Sequence, residues 1–182
     1  MKKSFLLFFL CVVTMYPLCS QSFTWIYDEE KKYDIPNGKG GYDELLKGVF
    51  YPEMEEHYLN YTPDETVIQQ LDKELKNIVS QNNLEIDIYF GAWCGDSKEY
   101  VPAFMKVMSA LSAISEEHIT LIACDRDKKV NSMDISNAHI EFVPTFIFLM
   151  NKKEIGRIIE TPAKSLEEDF LHLLQNPEKS KD

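Results

Sequence analysis

The sequence is short of cysteine and of positive charge. Four cysteines stand in 182 residues, at 11, 19, 94 and 124, too few for the disulfide scaffold that holds many small exported domains together. Nineteen Lys and Arg oppose 30 Asp and Glu, leaving a formal net charge of −11. Such a chain is repelled by phosphate backbones and anionic lipid, and no basic stripe or RNA-binding motif offsets this, so nucleic acid is excluded as a partner. Phosphate loops and dinucleotide fingerprints are missing, and no cofactor is expected. His57, His118, His139 and His172 lack the spacing of metal ligands. Glu53, Glu55, Glu56 and His57 lie close together, but a charge run beside a helix reads as a solvated face. Asp125 and Asp127 lack the glycine and distal glutamate of a calcium loop, so no metal is assigned.

Long apolar runs are scarce too. The nine residues Phe5 to Val13, after Met1-Lys2-Lys3, read as the core of a signal peptide over residues 1–20, with Ser20 before Gln21 as the cleavage point. The run is too short to span a bilayer comfortably, and Pro17 and polar residues follow it. A lipid on Cys19 is the weaker alternative, because Leu18 is a poor substitute for the small residue expected before it. Cleavage would leave Cys94 and Cys124 and, with Lys2 and Lys3 gone, a net charge of −13. The expected location is periplasmic or secreted, an oxidising setting.

The stretch that organises the rest is residues 84–104. Ile86-Asp87-Ile88-Tyr89-Phe90 is β-branched and aromatic and closes at Gly91, which reads as a buried strand. Beyond Cys94, apolar residues at Tyr100, Val101, Phe104, Val107, Met108, Leu111 and Ile114 mark one face of a helix. A strand thus delivers Cys94 to a helix N-terminus, where unpaired N–H groups and the positive dipole end favour a thiolate. Asp96, in the first turn, works against a second negative charge there.

Trp93-Cys94-Gly95-Asp96-Ser97-Lys98 with Pro102 resembles the active-site segment of the thioredoxin superfamily. Val143-Pro144-Thr145-Phe146 resembles its cis-proline loop, which faces the active-site cysteine and pairs with substrate backbone. Together these motifs cover roughly residues 84–175, about half the chain. Gly156-Arg157-Ile158-Ile159-Glu160-Thr161-Pro162 is similar to the ending of thioredoxin-like proteins with a W-C-G-D motif. Two departures stand out. Ser97 replaces the second cysteine of C-x-x-C, and Ile88 stands where many thioredoxins carry a buried acid, with Asp87 one place off and directed to the opposite face.

The remaining segments complete a thioredoxin-like α/β fold, a central mixed sheet flanked by helices with an N-terminal helical extension. The extension is residues 21–61, the thioredoxin-like domain 62–176 and the polar tail 177–182. In the extension, Phe23, Trp25 and Tyr27 alternate like a short strand, and Asn37-Gly38-Lys39-Gly40-Gly41 reads as a loop. Thr62, Pro63 and Glu65 suit the start of a helix to about Ser80. His118 to Cys124 reads as a strand, parallel to that of Ile86, and residues 133–138 as a short helical stretch. Thr145–Met150 and Glu154–Ile159 read as a hairpin, and Ser165 with Glu168 caps a last helix.

The resemblance implies thiol-disulfide exchange through Cys94, with Ser97 three residues on able to donate to the sulfur. Trp93, Gly95 and Asp96 support the site, with Trp93 covering the sulfur, and Val143, Pro144 and Thr145 line the substrate groove. The thiol that releases the mixed disulfide is external or, within the chain, Cys124, although a cysteine ending a strand reads first as a buried core thiol. The partners implied are protein or small-molecule thiols and disulfides, with a membrane-associated redox partner as a further candidate. A different class of reading is a redox-inactive binding or chaperone module that keeps only the proline-lined groove.

Overall fold

The structure is a computed structural model of the chain and describes residues 22–79, 83–131 and 133–177. The signal-peptide reading and Cys11 and Cys19 lie outside them. Six strands form one mixed sheet in the order β1-β2-β4-β3-β5-β6. They are β1 Thr24–Asp28, β2 Tyr33–Gly40, β3 Leu84–Phe90, β4 Ile119–Ala123, β5 Thr145–Met150 and β6 Lys153–Ile159. The helices are α1 Tyr42–Leu45, α2 Tyr51–Asn60, α3 Glu65–Val79, α4 Gly95–Ser109 and α5 Leu166–Gln175. Strands β3 and β4 run parallel, whereas β5 and β6 form an antiparallel hairpin beside β3. Among the described residues no helix is long and apolar enough to cross a membrane.

The pleat of β3 sends alternate side chains to two apolar clusters. Ile86, Ile88 and Phe90 enter the larger one with Phe146 and Phe148 of β5, Leu71 and Leu75 of α3, Phe104 of α4 and Phe170 of α5. Its centre is aromatic, with the Phe104 and Phe146 rings 4.8 Å apart and those of Phe148 and Phe170 4.5 Å apart. Tyr89 enters the smaller cluster with Ile122, Cys124, Val130 and Ile147, over which Met133, Ile135, Ala138 and Ile140 pack.

The extension is less helical than its charge run implies, because its first half joins the sheet. Asn37 to Gly40, expected in a loop, belong to β2, which pairs antiparallel with β4 through Gly38↔Ala123 and Gly40↔Leu121. The glycines are there for close approach: a Cβ on Gly40 would stand 2.4 Å from the Phe23 ring, and Gly38 has φ 105°. Asn37 is buried, its amide donating to the Lys129 carbonyl at 3.1 Å and its oxygen accepting the Asn131 N–H at 2.8 Å. The alternation of Phe23, Trp25 and Tyr27 marks a strand, yet Trp25 and Tyr27 are exposed and only Phe23 is buried. The cap of α3 is Asp64 and not Thr62, since its carboxylate accepts the N–H groups of Thr66 and Val67 at 2.8 and 3.0 Å. Ser165 does cap α5, accepting the Glu168 N–H at 3.2 Å.

Candidate active site

Strand β3 ends at Phe90, and the turn Gly91-Ala92-Trp93 passes the chain to Cys94, the N-cap residue of α4. The Cys94 N–H closes that turn on the Gly91 carbonyl at 2.9 Å, and its carbonyl accepts the Lys98 N–H at 3.2 Å. The thiol, partly exposed, donates to the Val143 carbonyl at 3.3 Å. That contact spans 49 residues and brings the cysteine against the loop that carries Pro144. Gly95 leaves the approach open, since a Cβ there would meet nothing within 4 Å.

The facing loop is tied from both sides. The Val143–Pro144 peptide bond is cis. Thr145 Oγ1 donates to the Phe142 carbonyl at 2.7 Å, and the Glu160 N–H, at the end of β6, donates to the Pro144 carbonyl at 2.7 Å. Val143, Pro144 and Thr145 are all buried, so the surface of this loop is formed by Glu141 and Phe142.

Ser97 sits differently from its expected role, and Trp93 is anchored beside it. The buried Ser97 hydroxyl accepts the Gly91 N–H at 3.2 Å, which fixes the turn before the cysteine; among the described residues its bond is there and not to the sulfur. The Trp93 indole N–H donates to the Cys124 carbonyl at 3.0 Å, and its ring crowds Gly91, where a Cβ would stand 2.5 Å from it. On that ring lies Arg126, its guanidinium carbon 5.2 Å from the centroid.

Cys124 follows β4 directly, and its N–H donates to the Phe90 carbonyl at 2.8 Å. Its thiol is completely buried in the smaller cluster, while Cys94 caps a helix packed into the larger one. Burial pushes the Cys124 thiol up to about 12, with the Asp125 carboxylate adding to the shift. Both cysteines are free. The site therefore joins Cys94, Gly95 and the Val143–Thr145 loop and leaves the Cys124 sulfur on the other face of the sheet.

Two ion pairs beside the site escape the sequence patterns. Asp28, buried at the end of β1, holds Arg126 with both oxygens, at 2.9 Å to Nε and 3.2 Å to Nη2. This pairing outweighs burial and keeps the Asp28 carboxyl below its usual range. Lys98, on the first turns of α4 and only 7 % exposed, pairs with Glu53 of α2 and lowers the Glu53 carboxyl. Glu53 is thus a partner of the active-site helix rather than part of a purely solvated face. These pairs span 98 and 45 residues, so no local spacing could have announced them. Asp87, beside Ile88, pairs in register with Ile147 and Thr120, and burial raises its carboxyl. Among the described residues no group of three or more His, Cys, Asp or Glu is arranged to hold a metal.

The thioredoxin family model matches residues 66–172. The mitochondrial thioredoxin-3 of Saccharomyces cerevisiae is 27% identical over 101 residues, covering 55% of this chain and 73% of that protein. Among solved structures, Fasciola hepatica thioredoxin is 18% identical, covers 60% of this chain and 90% of its own, and has a TM-score of 0.36. The N21Q mutant thioredoxin from Halobacterium salinarum NRC-1 is 16% identical over 58% of this chain and 85% of its own, also at a TM-score of 0.36. With a family model matched over more than half its length and the cysteine at the head of α4, this chain belongs to the thioredoxin family.

Proposed function

We propose that this is an exported thiol-disulfide exchange protein in which Cys94 is the single attacking thiol. The observation that carries the reading is the Cys94 thiol at a helix N-terminus, 3.3 Å from the Val143 carbonyl, with open space beside Gly95. The Cys94 thiolate attacks one sulfur of a substrate disulfide; a new S–S bond forms as the old one breaks, and the displaced sulfur leaves as a thiolate that takes a proton from water. A second thiol then attacks the mixed disulfide and returns Cys94 to its reduced state. With Ser97 engaged by Gly91 and Cys124 buried, that thiol comes from outside, as a substrate cysteine or a small thiol. Isomerase-like exchange suits this chemistry better than net reduction. The partners are protein or small-molecule thiols and disulfides, with a membrane-associated redox protein among the candidates. The setting proposed is the periplasm or the exterior, after removal of residues 1–20.

Replacing Cys94 by Ala tests the reading. Exchange with a disulfide substrate should fall to the rate without protein, while Cys124→Ala stays within about twofold of wild type, as expected of a buried, protonated thiol. Full retention of polypeptide binding by Cys94→Ala, together with no exchange by the wild type, would favour the groove as a pure binding module.

A further inference from the structure

Around Cys94 the accessible surface combines exposed apolar side chains with carboxylates that have no cationic partner. Three segments meet there: 92–97, carrying the cysteine; 140–146, whose Val143 carbonyl takes the thiol; and 159–163, whose Glu160 N–H holds Pro144. Phe142 is 50% exposed and Ile159 45%. The same segments carry Asp96, Glu141 and Glu160 and contain no Lys or Arg. Among the described residues none of these three carboxylates makes an ion pair. The cations next to these segments are already engaged, Lys98 by Glu53, Arg126 by Asp28 and Glu30, Arg157 by Glu154 and Lys164 by Glu168.

We propose that this groove selects polypeptide cysteines flanked by apolar and basic residues, and disfavours acidic peptides and anionic small disulfides. The inference rests on the exchange reading above and names its substrate class. An extended segment delivering a disulfide to Cys94 passes the open space at Gly95 and the loop that carries the exposed Phe142 ring, a surface that accepts apolar side chains. Its charged neighbours then meet three carboxylates in a chain that is already strongly anionic, so cations are drawn in and anions repelled before the sulfurs meet.

The test uses three peptides of sequence X-Phe-Cys-Phe-X, with X as Lys, Gln or Glu, each presented as a mixed disulfide with 2-mercaptoethanol. The rate at which the purified protein forms the Cys94–peptide disulfide is followed by mass spectrometry. The Lys peptide should react roughly tenfold faster than the Glu peptide in low salt, with the ratio shrinking steeply at high salt. The double variant Glu141→Gln/Glu160→Gln should cut that ratio by more than half. Glu116→Gln/Glu117→Gln, with the same change of net charge at the opposite end of β4, should leave it unchanged. Equal rates for the three peptides, or equal loss in both double variants, would overturn the proposal and leave the exchange reading standing. Failure to capture any peptide would instead sink the exchange reading, and this inference with it.

Discussion

Cys94 and Cys124 leave neighbouring parallel strands at the same end of the sheet, yet their surroundings give them different chemistry. One lies directly after a three-residue turn, at the mouth of a helix, with its sulfur directed to the Val143 carbonyl. The other follows its strand at once, so the alternation of β4 carries its sulfur into an apolar cluster. Burial there raises the thiol to about 12, so at neutral pH it stays protonated and inert. A cysteine's position along the strand is therefore a weaker guide to its chemistry than the face it takes. The backbone between the two is shared, since Trp93 donates to the Cys124 carbonyl. Cys124 thus supports the reactive site through its main chain.

The largest way to break that contrast is to supply the missing neighbour. Ser97→Cys should let the oxidised protein lose the mass of two protons through a disulfide between Cys94 and the introduced thiol. Release of captured substrate should accelerate roughly a hundredfold, because a tethered thiol acts at far higher effective concentration than an external one. Loss of the Ser97 oxygen also leaves the buried Gly91 N–H unpaired, so the same variant should be about 1 kcal/mol less stable by denaturant unfolding. A smaller test concerns the support under Trp93. Arg126→Ala removes the cation from the buried Asp28 and should cost about 2 kcal/mol at neutral pH, where its carboxylate is charged. Since pairing depresses the Asp28 carboxyl, the stability it adds is full above its ordinary value of 3.8 and fades as pH falls below that value. The stability gap between wild type and Arg126→Ala should therefore close in acid, and a gap independent of pH would remove the pair from the account. Smallest is Cys124→Ala, which should cost about 1 kcal/mol of packing with exchange nearly unchanged.

The strand-turn-helix around Cys94, the β5–β6 hairpin and α5 were legible because their information is local: a period of two, a period of three to four, and a capping pair such as Ser165 and Glu168. The extension was not. Asn37 to Gly40 has the composition of a loop, and only the Phe23 ring against Gly40 explains glycine inside a strand. Thr62 and Asp64 are equally good caps by chemistry, and backbone geometry decides for Asp64. The role of Ser97 is hidden because its spacing from Cys94 points to the sulfur, whereas its hydroxyl serves the Gly91 N–H on the turn before it. The pairings of Arg126 and Lys98 were invisible, since their partners Asp28 and Glu53 lie outside the stretch that matches the family.

The most direct measurement of the central claim is a timed alkylation of the folded, reduced protein at neutral pH, read by peptide mapping. The account predicts prompt modification of Cys94, with Cys124 untouched until denaturant is added. A folded protein whose Cys94 resists the reagent, or in which Cys124 reacts at the same rate, would contradict it.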